Sequence, residues 1–204
     1  MATSSSLAHE LEADSVREQI IDAAQARFRF YGYRKTTMAE IAADVAMSAA
    51  NLYRYFENKQ DIAAACAKRY LLDRIAFLQE IVQRPGLAAT ERLEAFVVGV
   101  LRYTHEVTAE QPKINELVET IASERQELVY WKADAECALI GEILLQGIKD
   151  REFDVADPLV TARAVHSSLA LFQVPLFMAI YPLPEFERRA HELVALLLRG
   201  LARR

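Results

Sequence analysis

No stretch of this chain alternates apolar and polar residues at period two for long enough to make a strand, whereas helix-start signals recur along its whole length. Ser15-Val-Arg-Glu18, Thr37-Met-Ala-Glu40 and Ser123-Glu-Arg-Gln126 are capping boxes. In each, a hydroxyl accepts from the N3 amide and the N3 side chain reaches back to the cap. Ser48 and Asn58 are further N-caps, and Asp157-Pro158 pairs an N-cap with proline at N1. Pro112 suits the first turn of another helix. Gly32, Arg84-Pro85-Gly86 and Tyr181-Pro-Leu-Pro184 are stops. This punctuation predicts about nine helices with short connections, an all-α chain without repeats.

Composition agrees with that class. Apolar residues make up 52% of the 204, enough for a buried core, while six Gly and six Pro are too few for the turns of an all-β fold. The first 14 residues are small and polar and are expected to form a disordered tail. No apolar run is long enough for a membrane span, and no signal-peptide pattern opens the chain, so the expectation is a cytoplasmic protein away from membranes. Cys66 and Cys137 make neither a disulfide framework nor a CxxC site and read as small buried hydrophobes. His9, His105, His166 and His191 form no HExxH. With no glycine-rich phosphate loop and no GxSxG elbow either, no metal, cofactor or catalytic role is expected.

The segment from Met38 to Phe56 reads as two short helices around the turn Ala46-Met47-Ser48. Ile41, Val45, Leu52 and Phe56 fall on facing apolar rows, and Ala42 is small where the helices cross. That is a helix-turn-helix, whose second helix enters the DNA major groove. With Leu52 and Phe56 inward, Ala50, Asn51, Tyr53 and Arg54 project outward. Arg54 is the residue able to grip a guanine edge with two hydrogen bonds. Ala49 and Ala50 let the helix sit close to the groove floor, and Tyr53 offers a hydroxyl to a phosphate. Thr36 and Thr37 stand at a helix N-terminus, which favours anions. Lys59 is misplaced at a helix N-terminus unless a phosphate opposes it. Arg27, Arg29, Arg34 and Lys35 read as a solvated face. Residues 16–60 carry seven basic and five acidic side chains, a net +2, within a chain of net charge −5. The basic half is the half with the motif, as nucleic-acid binding requires.

Gly32-Tyr-Arg-Lys-Thr-Thr-Met-Ala-Glu-Ile-Ala42, Ser48-Ala-Ala-Asn-Leu-Tyr-Arg-Tyr-Phe56 and Lys59 resemble the DNA-binding domain of TetR-type (tetracycline-repressor-like) transcriptional regulators over residues 16–62. The resemblance implies an N-terminal reading domain (15–62) and a C-terminal helical-bundle domain for effector and dimerisation (63–204). It implies a homodimer that binds double-stranded operator DNA and a small-molecule effector, usually as a repressor that the effector releases. Thr36, Tyr53, Tyr55 and Lys59 would hold phosphates, and residues 48–54, including Ser48, would reach bases. For Tyr55, packing beside Leu52 is an equal alternative. Two positions depart from the family pattern. Ala46 stands where glycine is usual, raising the cost of a left-handed turn, and Ala49 stands where Lys or Arg is common.

Beyond residue 90 the helices carry broad apolar faces. Those of the seventh are read as the rows Leu128-Trp131-Ala135-Leu139 and Ala133-Cys137-Ile140-Leu144. Tyr103, Tyr130, Trp131, His166, Phe172 and Gln173 are the candidate lining of an effector site, which on these rows would suit a mostly apolar molecule. His166 reads first as a hydrogen-bonded interior histidine, with effector recognition as the lesser alternative. Pro175 is expected to kink its helix. Leu193, Val194, Leu197, Leu198 and Leu201 give the last helix more apolar surface than one packing face needs and are the candidate dimer interface. A solid core would instead favour a DNA binder regulated by a partner protein.

Overall fold

A computed structural model describes residues 4–111 and 113–202, so Pro112 and the first three residues of the expected tail lie outside the described residues. The described residues form α1 (Ser4–Tyr31), α2 (Met38–Asp44), α3 (Ala49–Leu52), α4 (Lys59–Val82), α5 (Ala89–Glu110), α6 (Ile114–Glu124), α7 (Gln126–Lys149), α8 (Pro158–Ser168), α9 (Ala170–Gln173), a 3-10 turn (Pro175–Ala179) and α10 (Leu183–Leu201). The class is all-α, and no strand occurs among the described residues.

Thr37 caps α2 with the full capping box, Ser48 caps α3 through the Asn51 amide, and Asn58 Oδ1 accepts from Asp61 N at 2.9 Å. Asp157 caps α8, with Pro158 at N1. Two starts differ from expectation. The first helix already runs from Ser4, so Ser15 lies inside α1. Leu7, Ala8, Glu10, Leu11 and Glu12 are strong helix formers, and no breaker separates them from Ser15. Ser123 lies in the last turn of α6, where its hydroxyl bonds back to Glu119 O at 2.9 Å, and α7 starts at Gln126. Around Pro175 the helix is broken rather than kinked: α9 stops at Gln173 and Pro175 opens the 3-10 turn. Proline lacks the amide that would have continued the ladder.

The chain divides into two compact units. The first takes residues 1–70 and 111–125, the second 71–110 and 126–204. In the first, Ile20, Ala24 and Phe28 of α1 meet Ile41, Ala42, Leu52, Phe56 and Ile62, with Leu117 of α6 packed against them. Membership of α6 was not visible from sequence distance. It is fixed by Leu117, by the Arg125–Asp61 ion pair and by the Glu116 carboxylate, which accepts from Arg34 N at 3.0 Å. In the second unit, Leu93, Phe96, Val97 and Val100 of α5 pack with Leu139, Ile140 and Ile143 of α7 and with Phe186, Ala190 and Val194 of α10. The Glu152 carboxylate closes this unit's start by accepting from Ala89 N and Thr90 N, both at 3.0 Å, at the free amides of α5.

Candidate nucleic-acid interface and effector site

The turn between α2 and α3 is built from three backbone bonds: Val45 N to Ala42 O, Ala46 N to Ala43 O, and Met47 N to Ala42 O at 2.8 Å. Closing it puts Ala46 at φ +54°, the left-handed region where a Cβ is strained. The turn thus keeps its left-handed geometry without glycine. Regular helix in α3 ends at Leu52. The chain then tightens, with Arg54 N on Asn51 O and Tyr55 N on Leu52 O, before Phe56 enters the core.

Ser48, Ala50, Tyr53 and Arg54 are exposed, and Ala49 and Asn51 half-buried, so the expected reading surface does face outward. Arg54 has no side-chain hydrogen bond or ion pair among the described residues. Tyr55 is half-buried and packs on the first unit's core, which favours the packing alternative. Arg27 is not simply solvated: it pairs with Asp44 and Glu40 across α1 and α2.

Two phosphate candidates have other partners. Thr36 is 1% exposed, and its hydroxyl donates to Gly32 O at 2.8 Å. Lys59 reaches back over the same loop, its Nζ donating to Thr36 O at 2.7 Å and Tyr33 O at 2.8 Å, with the Tyr33 ring 4.3 Å away. Burial pushes its ammonium pKa down despite Glu116 and Glu40. These carbonyls answer the charge at the start of α4 in this structure. The loop is held further by the Glu116 bond to Arg34 N and by Gly32, at φ +86°, where an added Cβ would fall 2.6 Å from the Glu116 carboxylate. Thr37 remains exposed at the cap of α2.

In the second unit the effector candidates separate. Tyr130 and Trp131 are exposed on α7, whereas Phe172 is buried and stacks edge-on against Phe186 at 6.5 Å. His166 and Gln173 come together around residues the sequence reading passed over. Arg74 of α4 and Glu136 of α7 are each 1% exposed and joined Nε to Oε1 at 2.6 Å. Arg74 Nη1 donates to Thr104 Oγ1 at 3.0 Å, and the guanidinium lies 5.6 Å from the Tyr103 ring. Glu136 Oε2 takes Lys132 Nζ at 3.1 Å and His166 Nε2 at 2.9 Å. Lys132 Nζ also donates to Gln173 Oε1 at 2.8 Å. Burial works against the Glu136 carboxylate, but Arg74, His166 and Lys132 together hold its pKa well below the ordinary range.

The largely apolar core of this unit therefore contains one buried charged cluster, which the expected apolar rows did not include. Of the expected α7 rows, Leu139, Ile140 and Leu144 are buried, whereas Trp131 is exposed and Glu136 and Ile143 face inward instead. The buried stripe is Glu136, Leu139, Ile140, Ile143 and Leu144. A carboxylate and a lysine four apart at the head of an apolar stripe were the available signal. Cys66 is buried as expected, whereas Cys137 is half-buried; burial pushes the Cys66 thiol up to about 12 and also raises that of Cys137.

Residues 20–66 match the family described as bacterial regulatory proteins, tetR family, and residues 89–194 match the tetracyclin repressor-like C-terminal domain. A transcriptional regulator from Cytophaga hutchinsonii has a similar structure, with TM-score 0.71, 25% identity, and coverage of 91% of this chain and 98% of that one. A TetR/AcrR-family regulator from Thermobifida fusca gives 0.67 at 22% identity over 93% and 100%. SmeT, the repressor of the Stenotrophomonas maltophilia multidrug efflux pump SmeDEF, gives 0.63 at 20% over 92% and 90%, and is also known in complex with triclosan. A search of curated proteins finds no match. Among the described residues, no helix is long and apolar enough to cross a membrane and no residue group is arranged to hold a metal ion.

Proposed function

This chain belongs to the TetR family of bacterial transcriptional regulators, and from that premise we propose that it is a homodimeric operator-binding repressor, released by a small, mostly apolar effector held in its second unit. The observation that carries the reading is the pairing of an exposed, unpaired Arg54 beside α3 with a braced 32–36 loop. One offers base contact, and the other fixes the geometry in which contact is made. Thr37, Ser48, Ala50, Asn51, Tyr53 and Arg54 form the DNA face in this reading. Thr36 and Lys59 support it from behind.

For the dimer face, this reading adds exposed residues to the expected set. Val194 and Leu201 are buried in their own core, and Leu193, Leu197 and Leu198 pack against it. On α8 and α10, Leu159, Val160 and Leu196 are exposed apolar side chains, and in this reading they meet the symmetry mate. Effector and operator each favour one arrangement of the dimer, so each weakens the other reciprocally. A triclosan complex of SmeT, a structural neighbour, supports an aromatic, largely apolar effector body.

The test is selection of binding sites from random-sequence duplex DNA with the purified full chain. Enrichment of a sequence with two-fold symmetry, bound by a dimer, supports the proposal. A pool that remains random after repeated rounds overturns it.

A further inference from the structure

The shared carboxylate of Glu136 is the starting point. Oε1 serves Arg74, while Oε2 serves Lys132 and His166 together. One carboxylate is thus shared by two fixed cations. Among the described residues Glu136 is the one carboxylate in ion-pair contact with Lys132. The Lys132 side chain is 19% exposed, so it stands where the buried cluster reaches the edge of the packed helices. An ammonium has three donors. Glu136 and Gln173 take two, leaving one N–H of Lys132 for another acceptor.

A purely structural ion pair does not need this lysine. Arg74 and Glu136 already match one another in charge, and Thr104 Oγ1 takes a further Arg74 donor. Adding a second cation to a low-dielectric cluster is unfavourable unless an anion joins it. Burial pushes the Lys132 pKa down, and the neighbouring Arg74 charge adds to this against the opposing Glu136. Gln173, from α9, is oriented by donating Nε2 to His166 O at 3.4 Å, which turns Oε1 toward the lysine. Beyond Glu136 the α7 stripe continues as Leu139, Ile140 and Ile143, and α9 adds Phe172, so the cluster borders the apolar core.

We propose that Lys132, with Gln173 and His166 beside it, binds the acid group of a small organic monoanion, so that the effector is an amphipathic monocarboxylic acid. This rests on the reading of the chain as an effector-released regulator and sharpens it: the apolar body is retained, and one carboxylate is added. The acid accepts the remaining Lys132 donor and places a second negative charge beside it.

The test uses the full-length protein and matched probes: octanoate and phenylacetate against octanamide and phenylacetamide, with acetate measuring the charge alone. Binding is followed by calorimetry and by release of a selected operator. The acids should bind wild type at least tenfold more tightly than their amides, with acetate weaker than octanoate. Lys132→Met should bring the acid-to-amide ratio to within about twofold of unity, whereas Lys132→Arg should keep it. Operator affinity without probe certifies that each variant is folded. A Lys132→Met protein that binds operator normally and keeps the tenfold preference overturns the proposal. So do amides that bind wild type as well as acids, an outcome that leaves a ligand-responsive regulator standing. If neither series binds or releases DNA, the effector reading falls with it.

Discussion

Lys59 Nζ donates to the carbonyl of Thr36 at 2.7 Å, and the same Thr36 sends its hydroxyl to Gly32 O, so two residues suited by type to phosphate contact instead hold each other's loop. Lys59→Met should therefore lower stability by about 1–3 kcal/mol, through carbonyls that lose a charged donor. It should weaken all DNA sequences alike while leaving the slope of log K against log salt unchanged. A lysine touching phosphate would flatten that slope by about one. Thermal melts and binding at four salt concentrations separate the two.

Ala46 sits at φ +54° in the turn between α2 and α3. Ala46→Gly removes the Cβ strain, which outweighs the added freedom of the unfolded chain, and should stabilise the protein by about 0.5–1 kcal/mol. Urea unfolding measures this. A loss of stability would mean that the left-handed turn is not what the folded chain adopts.

Both Glu136 and Glu152 have carboxyl pKa values held below the ordinary range. Burial opposes this in each case, overcome by Arg74, His166 and Lys132 around Glu136 and by the Ala89 and Thr90 amides at Glu152. A depressed folded pKa contributes stability that is fully present above the unfolded value of about 4.3. That contribution is lost as pH falls through the folded value, roughly between pH 5 and pH 1. Glu136→Gln should cost about 3–5 kcal/mol at neutral pH by leaving buried cations without their carboxylate. It should also flatten the acid limb of stability against pH. An unchanged acid limb in this variant would remove Glu136 from the account.

Leu196 is 60% exposed on α10, while Val194, two residues away, is in the core. Leu196→Glu should give a folded monomer with operator affinity reduced at least tenfold, since each half-site would be bound alone. Val194→Glu should instead unfold the second unit. Sedimentation velocity with circular dichroism distinguishes them. A Leu196→Glu protein that remains dimeric would move the interface elsewhere.

The local parts of this structure were legible in the sequence. Thr37 with Glu40, Ser48 with Asn51, and Asp157 with Pro158 are governed by neighbours within four residues, and each behaves as its spacing requires. The non-local parts were not. The partners of Lys59 are carbonyls 23 and 26 residues away, which no side-chain pattern announces. Ser15 is a sound cap by type, but the good helix formers before it carry α1 past it. On α7, two adjacent phases both look apolar. Only the packed partners Arg74 and His166 show that Glu136 faces inward.

Arg54 is the residue on which the DNA-reading claim turns. The most direct measurement is the base preference of Arg54→Ala at every position of a selected operator, by competition binding against wild type. The account predicts that preference is relaxed at one base position in each half-site, with a cost of about 1–3 kcal/mol. All other positions should be read as before. A variant that binds the operator with wild-type affinity and an unchanged preference at every position would contradict it.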